Sequence, residues 1–313
     1  MDRKKILIVK IGAIGDVVMA MPLLTYFHNE RLTWVIGKQA APLLQGKVET
    51  LIVVDEERLF KGTLAQRFIE LSQVVLQLAG RKFTLILTIH TDWRYQLISC
   101  FTFAKKRKSF CPLPGQYHSS EILRLASGKD HLQVELPQIE LTFSKYQDPK
   151  AIVLAPGGAK NPLADDALRR WPIQHYVTLA KELEKRGIPI ILTGSNSDAW
   201  VTPHFDGVTC KNLIGKLSLL ELISLLQGIK LLVTHDSGPL HLAKLAKCPT
   251  IALFGPTNPL EKIGKKDTID LLWGGESLPC RPCYNGKTYA PCTRNICLEN
   301  ILPDHVLQKI LTK

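Results

Sequence analysis

The chain has 313 residues, 45% of them hydrophobic, and carries 40 Lys and Arg against 28 Asp and Glu for a net charge of +12. That length and apolar content allow a large buried core, most simply divided between two domains. The charge excess is shared, with 20 basic and 14 acidic groups in residues 1–149 and the same in 150–313. There is thus no basic tail of the kind that grips nucleic acid, while a broadly basic surface suits a nucleotide, an acidic glycan or a charged membrane face. No apolar run reaches the roughly 18–20 residues that cross a bilayer. Arg3, Lys4 and Lys5 imitate the start of a signal peptide, but Lys10 and Asp16 interrupt the apolar stretch that follows. The expected location is cytoplasmic, and the eight cysteines agree with that as thiols or metal ligands.

In chain order, strands are expected at Lys5–Val9, Leu32–Ile36, Thr50–Val54 and Thr84–Ile89, with helices over Val17–Asn29, Thr63–Gly80 and Trp93–Ala104. Strands separated by helices imply βαβ units and a parallel sheet. The stretch "KIGAIGDVVMAMPLL", Lys10 to Leu24, stands where a nucleotide-binding protein has its phosphate turn. It carries Asp16, whose carboxylate would repel a phosphate. "LTFSKYQDPK", Leu141 to Lys150, reads as a linker, which sets domains at 1–145 and 150–313. The pattern then restarts: "AIVLAPGG" is a strand closing in a glycine turn, and "WPIQHYVTLAKELEKRG" a helix with Pro172 in its first turn and Gly187 as its stop. "IPIILTGS" is a strand, "SLLELISLLQG" a helix capped by Ser218, "KLLVTHDSGPLHLAKLA" strand, turn and helix, and "PTIALFGPTNP" a final strand. Two successive α/β halves predict two Rossmann-like domains facing a central cleft, with ligands beyond the carboxyl ends of the strands.

The anion-binding chemistry collects in the second half. Asp236-Ser237-Gly238 opens a helix, where free backbone N–H groups and the positive dipole end favour an anion, and His241 follows one turn later. The competing reading makes Asp236 or Ser237 an ordinary helix cap and His241 a surface residue. Gly157-Gly158 allows close backbone approach, with Lys160, Arg169 and Arg170 near enough in sequence to neutralise a diphosphate. Its competitor is a solvated loop.

"IGAIGDVVMAMPLL", "PGG…RRWP", "LIGKLSLLELISLLQ", "THDSGPLHLAKL" and "ALFGPTNP" occur in the order found in glycosyltransferase family 9, which includes the lipopolysaccharide heptosyltransferases, and the chain resembles that family over nearly its whole length. The resemblance implies an α/β GT-B fold. It also implies inverting transfer of heptose from ADP-heptose to a lipid-linked lipopolysaccharide core acceptor, with no cofactor required for catalysis. The first domain would hold the acceptor and the second the nucleotide sugar, with the last helix packing back on the first domain. Asp16 then becomes the base that takes the acceptor proton, a role suited to a carboxylate at a helix start. Gly157, Gly158, Lys160, Arg169, Leu217, Asp236, Ser237, Gly238 and His241 match the family's donor-binding positions. The segment Lys160 to Leu168 is longer than usual, so either Lys160 or Arg169 is the phosphate cation. Peripheral contact with the inner membrane follows from a lipid-linked acceptor.

Arg94, Lys105, Lys106 and Arg107, with Arg58, Lys61 and Lys108, form a basic set suited to an acidic acceptor or to a merely solvated face. Cys280, Cys283, Cys292 and Cys297 follow C-x2-C-x8-C-x4-C, which fits a structural zinc, free thiols or a disulfide. Three rival functions remain: another sugar donor, a nucleotide-sugar epimerase on the same fold, and a non-enzymatic zinc-binding module.

Overall fold

The computed structural model describes residues 3–130, 132, 134–139, 141, 146–161, 164–284 and 288–313. Contact density divides the chain into two units, Met1–Gln138 with Asn161–Leu163, and Ile139–Lys160 with Ala164–Lys313. Residues 142–145 of the expected linker lie outside the described residues, and a strand already begins at Asp148.

The first unit runs β1 (Lys5–Val9), α1 (Ile14–Ala20), α2 (Pro22–Tyr26), β2 (Arg31–Gly37), β3 (Thr50–Val54), α3 (Glu56–Lys61), α4 (Leu64–Leu78), β4 (Lys82–Thr88), α5 (Trp93–Leu97), β5 (Phe103–Ser109) and α6 (His118–Ser127). Its sheet has the order β3-β2-β1-β4-β5, every pairing parallel. Crossover helices cover a parallel sheet on both faces, so β1 at its centre is apolar without alternation and Ile6 to Val9 are all buried. One face packs Leu59 and Phe60 of α3, Val74 and Leu78 of α4, and Tyr95 of α5 against Leu7, Val9 and Ile86 of the sheet.

Two sequence expectations change here. The single helix over Val17–Asn29 is two helices, because Pro22 has no N–H to continue the ladder and instead takes the first position of α2. The helix over Trp93–Ala104 stops at Leu97, and "FAKKRKS" is the edge strand β5. Its lysines suit that place: charge along an edge discourages pairing with another sheet.

The second unit runs β6 (Asp148–Ala155), the short pair β7 (Lys160–Asn161) and β8 (Ala164–Asp165), α7 (Ile173–Lys185), β9 (Ile190–Leu192), β10 (Lys211–Asn212), α8 (Leu219–Gln227), β11 (Ile229–His235), α9 (Gly238–Ala246), β12 (Thr250–Phe254), β13 (Ile269–Trp273), α10 (Ile296–Glu299) and α11 (Pro303–Leu311). The main sheet has the order β10-β9-β6-β11-β12-β13, again parallel throughout. Ser218 caps α8 in a reciprocal box with Glu221, as its sequence predicts. Val306, Leu307 and Ile310 of α11 belong to this unit's core with Trp171, Tyr176 and Leu183. Burying that apolar stripe decides where α11 lies.

Candidate active site

In the first unit, the chain leaves β1 at Val9 and Lys10 turns inward, 2% exposed. A buried ammonium needs a partner, and Lys10 Nζ lies 2.8 Å from Asp16 Oδ2. The Asp16 side chain is 40% exposed, so one carboxylate is gripped from inside and offered outside. Asp16 sits in the first turn of α1, after Ala13 turns the backbone through a positive φ of 53°. The loop is pinned by Gly12 N–H, which donates to the Tyr95 hydroxyl at 3.2 Å. The Tyr95 ring also lies 6.0 Å from Lys10 Nζ and stacks on His90 at 4.2 Å. Burial, then the positive charge of Lys10, push His90 down to about 4, so it is neutral at pH 7. Burial likewise pushes the Tyr95 hydroxyl up, which keeps it protonated.

The basic set of this unit divides. Arg94 pairs with Asp92 and lies 4.8 Å over the Phe60 ring. Arg107 donates to the Ser99 carbonyl at 3.0 Å and to the Thr102 carbonyl, and Lys108 donates to the Leu125 carbonyl at 2.6 Å. Lys105 and Lys106 stand exposed on β5. The run is therefore partly a clamp on its own loop.

In the second unit, β6 and β11 are adjacent central strands, and both anion motifs leave from their carboxyl ends. The motifs meet: a Cβ on Gly158, whose φ is +81°, would lie 3.2 Å from the Ser237 Cβ. Asp198, 3% exposed, accepts from Gly158 N–H at 2.8 Å and from Ser195 N–H at 2.7 Å. A Cβ on Gly157 would overlap that carboxylate. The Gly158 N–H, expected to face a diphosphate, is thus taken by Asp198, and Gly157 is glycine to admit it. On the other side, Arg170 donates to the Gly158 carbonyl at 2.9 Å, pairs with Asp165 and lies 5.6 Å from the Trp200 ring.

Arg169 reaches across to Asp236, donating to its carbonyl at 2.7 Å and lying 3.1 Å from Oδ2, with Asp166 Oδ2 at 3.3 Å. Burial works against the Asp236 charge, but Arg169, then Lys262 and His241, outweigh it and hold its carboxyl below the usual range. Burial also opposes the charge of Arg169, and Asp236 first among its neighbours keeps that guanidinium firmly protonated. Arg169 is therefore not a free cation: two carboxylates already balance it. Asp236, Ser237 and His241 are buried, at 1%, 4% and 4% exposed, while Gly238 and Leu217 are half-exposed. The Ser237 hydroxyl donates to the His235 carbonyl at 3.2 Å. Beneath them His235 meets the Tyr176 hydroxyl at 3.2 Å, and burial, then Arg169, push His235 down to about 3. Lys160 lies on β7; its side chain is outside the described residues.

Cys280, Cys283, Cys292 and Cys297 are free thiols, and among the described residues no group of three or more His, Cys, Asp or Glu is arranged to hold a metal. Cys297 lies on α10 against Gly255 and Gly275, and burial first, with Cys283 and Cys292 nearby adding to it, pushes its thiol up to about 11. Sequence reasoning missed Tyr95 and Asp198, since nothing in spacing marks a residue that arrives from another loop, and it missed Asp166, whose i,i+3 spacing to Arg169 was a usable signal. Lys10 was missed as well, although a signal was there: a lysine straight after a buried strand, six residues before an aspartate.

Two parallel α/β units with these loops define the GT-B class of glycosyltransferase folds. The family model for glycosyltransferase family 9 (heptosyltransferase) matches residues 118–291, more than half of the sequence, and the chain belongs to that family. It is 33% identical over 198 residues to lipooligosaccharide heptosyltransferase 2 of Haemophilus influenzae, covering 58% of this chain and 54% of that protein. The chain therefore spans about half the length of that relative. A lipopolysaccharide core heptosyltransferase of the same organism is 24% identical, over 82% of this chain and 80% of its own. Escherichia coli ADP-heptose lipopolysaccharide heptosyltransferase II superposes with a TM-score of 0.72 at 19% identity, covering 98% of both chains.

Proposed function

We propose that this family 9 enzyme transfers a heptose from ADP-heptose to a lipopolysaccharide core acceptor with inversion. The activities of its relatives support the donor and acceptor, and one geometric observation carries the chemistry: the Lys10-anchored, outward-facing Asp16. In this reading the acceptor oxygen bonds to the anomeric carbon as the bond from that carbon to the diphosphate oxygen breaks. The acceptor proton passes to the Asp16 carboxylate, and ADP leaves. General-base help of this kind is worth about 10²–10⁴-fold.

Donor binding falls to the second unit, at Gly158, Ser237 and the start of α9, whose N–H groups and dipole suit a diphosphate. Arg169 and Asp236 act there as a buried brace that holds the α9 turn beside the glycine turn. Leu217 and His241 complete the donor region, and Lys160 supplies a further cation. No resident metal is needed by this scheme. The location is cytoplasmic with peripheral contact to the inner membrane; among the described residues no helix is long and apolar enough to cross one.

The test is turnover with ADP-heptose and a core acceptor, against UDP- and GDP-sugars. Heptosyl product with the ADP donor alone supports the reading. Epimer or free sugar released without acceptor would replace it with donor-only chemistry.

A further inference from the structure

The first unit exposes apolar surface where a soluble helix layer should be polar. Eight of the sixteen exposed large hydrophobics among the described residues lie within residues 64–103. On α4 the core is met by Val74 and Leu78, yet Ile69 at 51% exposure and Leu76 at 75% lie on the opposite side, Phe68 at 73% on the flank, and Leu64 at 83% in the first turn. A helix apolar on both sides has two neighbours, and only one is this chain's sheet. Trp93 and Leu97 of α5, four apart and so on one face, are exposed at 66% and 37%. Both helices pack on the same side of the sheet through Val74, Leu78 and Tyr95, so their outer surfaces belong to one layer.

Charge says what covers it. Residues 56–108 hold ten basic and four acidic groups, an excess of +6 that equals the whole excess of residues 1–149. Of the four acids, Glu56 and Glu70 are buried and Asp92 is paired with Arg94. Lys61 and Arg67 flank the start of α4, both exposed. Apolar side chains ringed by cations match an anionic lipid surface, in which aromatic rings enter the headgroup boundary and cations meet phosphates. A second copy is the poorer fit, since a two-fold contact would set each basic rim against itself.

We propose that the outer face of α4 and α5 docks this protein on an anionic membrane. This deepens the membrane contact of the reading above and depends on it only for the choice of occupant. The experiment is co-sedimentation of the full chain with phosphatidylethanolamine–phosphatidylglycerol vesicles and with phosphatidylcholine vesicles, with ADP affinity measured on the same preparations. Binding to the anionic vesicles is expected, lowered by salt and weak on the neutral ones. Phe68→Ser with Leu76→Ser should cut it about ten-fold or more, and Arg67→Glu should cut it less, with melting temperature and ADP affinity unchanged. Equal binding by the variants overturns the proposal, as does failure of the wild type to sediment while still binding ADP. So does a wild-type dimer that the apolar double variant makes monomeric. Loss of ADP affinity alone would count against the donor reading and leave the vesicle result standing in support.

Discussion

Each unit holds an aspartate against a cation at the end of a central strand, and the two pairs are opposite in exposure. Lys10–Asp16 buries the cation and leaves the carboxylate 40% exposed, whereas Arg169–Asp236 leaves the carboxylate 2% exposed and its cation 19%. An exposed carboxylate on a buried anchor can take a proton from a substrate. A buried carboxylate on a buried arginine can only fix what surrounds it. Burial therefore separates the proposed base from the proposed brace where residue type does not.

The sharpest test of that contrast is Asp16→Ala. Turnover should fall about 10²–10⁴-fold while ADP affinity, measured by titration calorimetry, stays put; undiminished turnover would remove Asp16 as the base. Next is Asp236→Ala, which strands a buried guanidinium and should cost about 3–5 kcal/mol of stability, read as a drop in denaturation midpoint. A stable Asp236→Ala protein that had lost only donor binding would make Asp236 a ligand contact instead. Lys10→Met should lower kcat by roughly ten- to hundred-fold through loss of one charged hydrogen bond, and Lys10→Arg should restore part of it. If Lys10 serves only packing, methionine would leave kcat and its pH profile as they are.

Gly157→Ala presses a methyl group into the Asp198 carboxylate and should cost about 1–3 kcal/mol, visible as a lowered melting temperature; alanine with no effect would show that Asp198 can move aside. The smallest effect is a slope. His90 and His235 are held at about 4 and about 3 in the fold against an unperturbed value of 6.5. Between those limits the unfolded chain binds the protons, so stability must fall as pH drops below about 6.5, by at most about 1.4 kcal/mol per pH unit for each histidine. Replacing His235 with Gln should flatten that slope in pH-dependent melting curves, and an unchanged slope would place the proton uptake elsewhere.

Much of this was legible in the sequence. The parallel strands showed as apolar runs without alternation, and Ser218 and Gly187 marked real helix ends. The α/β repeat followed from the order of those runs, and the GT-B fold from the resemblance to glycosyltransferase family 9. Asp16 stood out because a carboxylate looked wrong in a phosphate turn. Other features were hidden for physical reasons. "KKRK" reads as solvated charge in any local window, and only its hydrogen bonds across the sheet make it strand β5. Arg169 looked like a free cation since Asp236 comes from another loop, and Asp166, three residues back, meets it only through the short helical turn between them.

Among these features, the Gly157-Gly158 turn carries a further consequence. Asp198 beneath it and Arg170 on its carbonyl set its shape as the chain folds. If the donor diphosphate meets this turn, as proposed above, it finds the backbone already in order and little conformational freedom is lost on contact. Association at this corner should be limited by diffusion and desolvation, with a small entropic penalty, and tighter donors should differ in how slowly they depart.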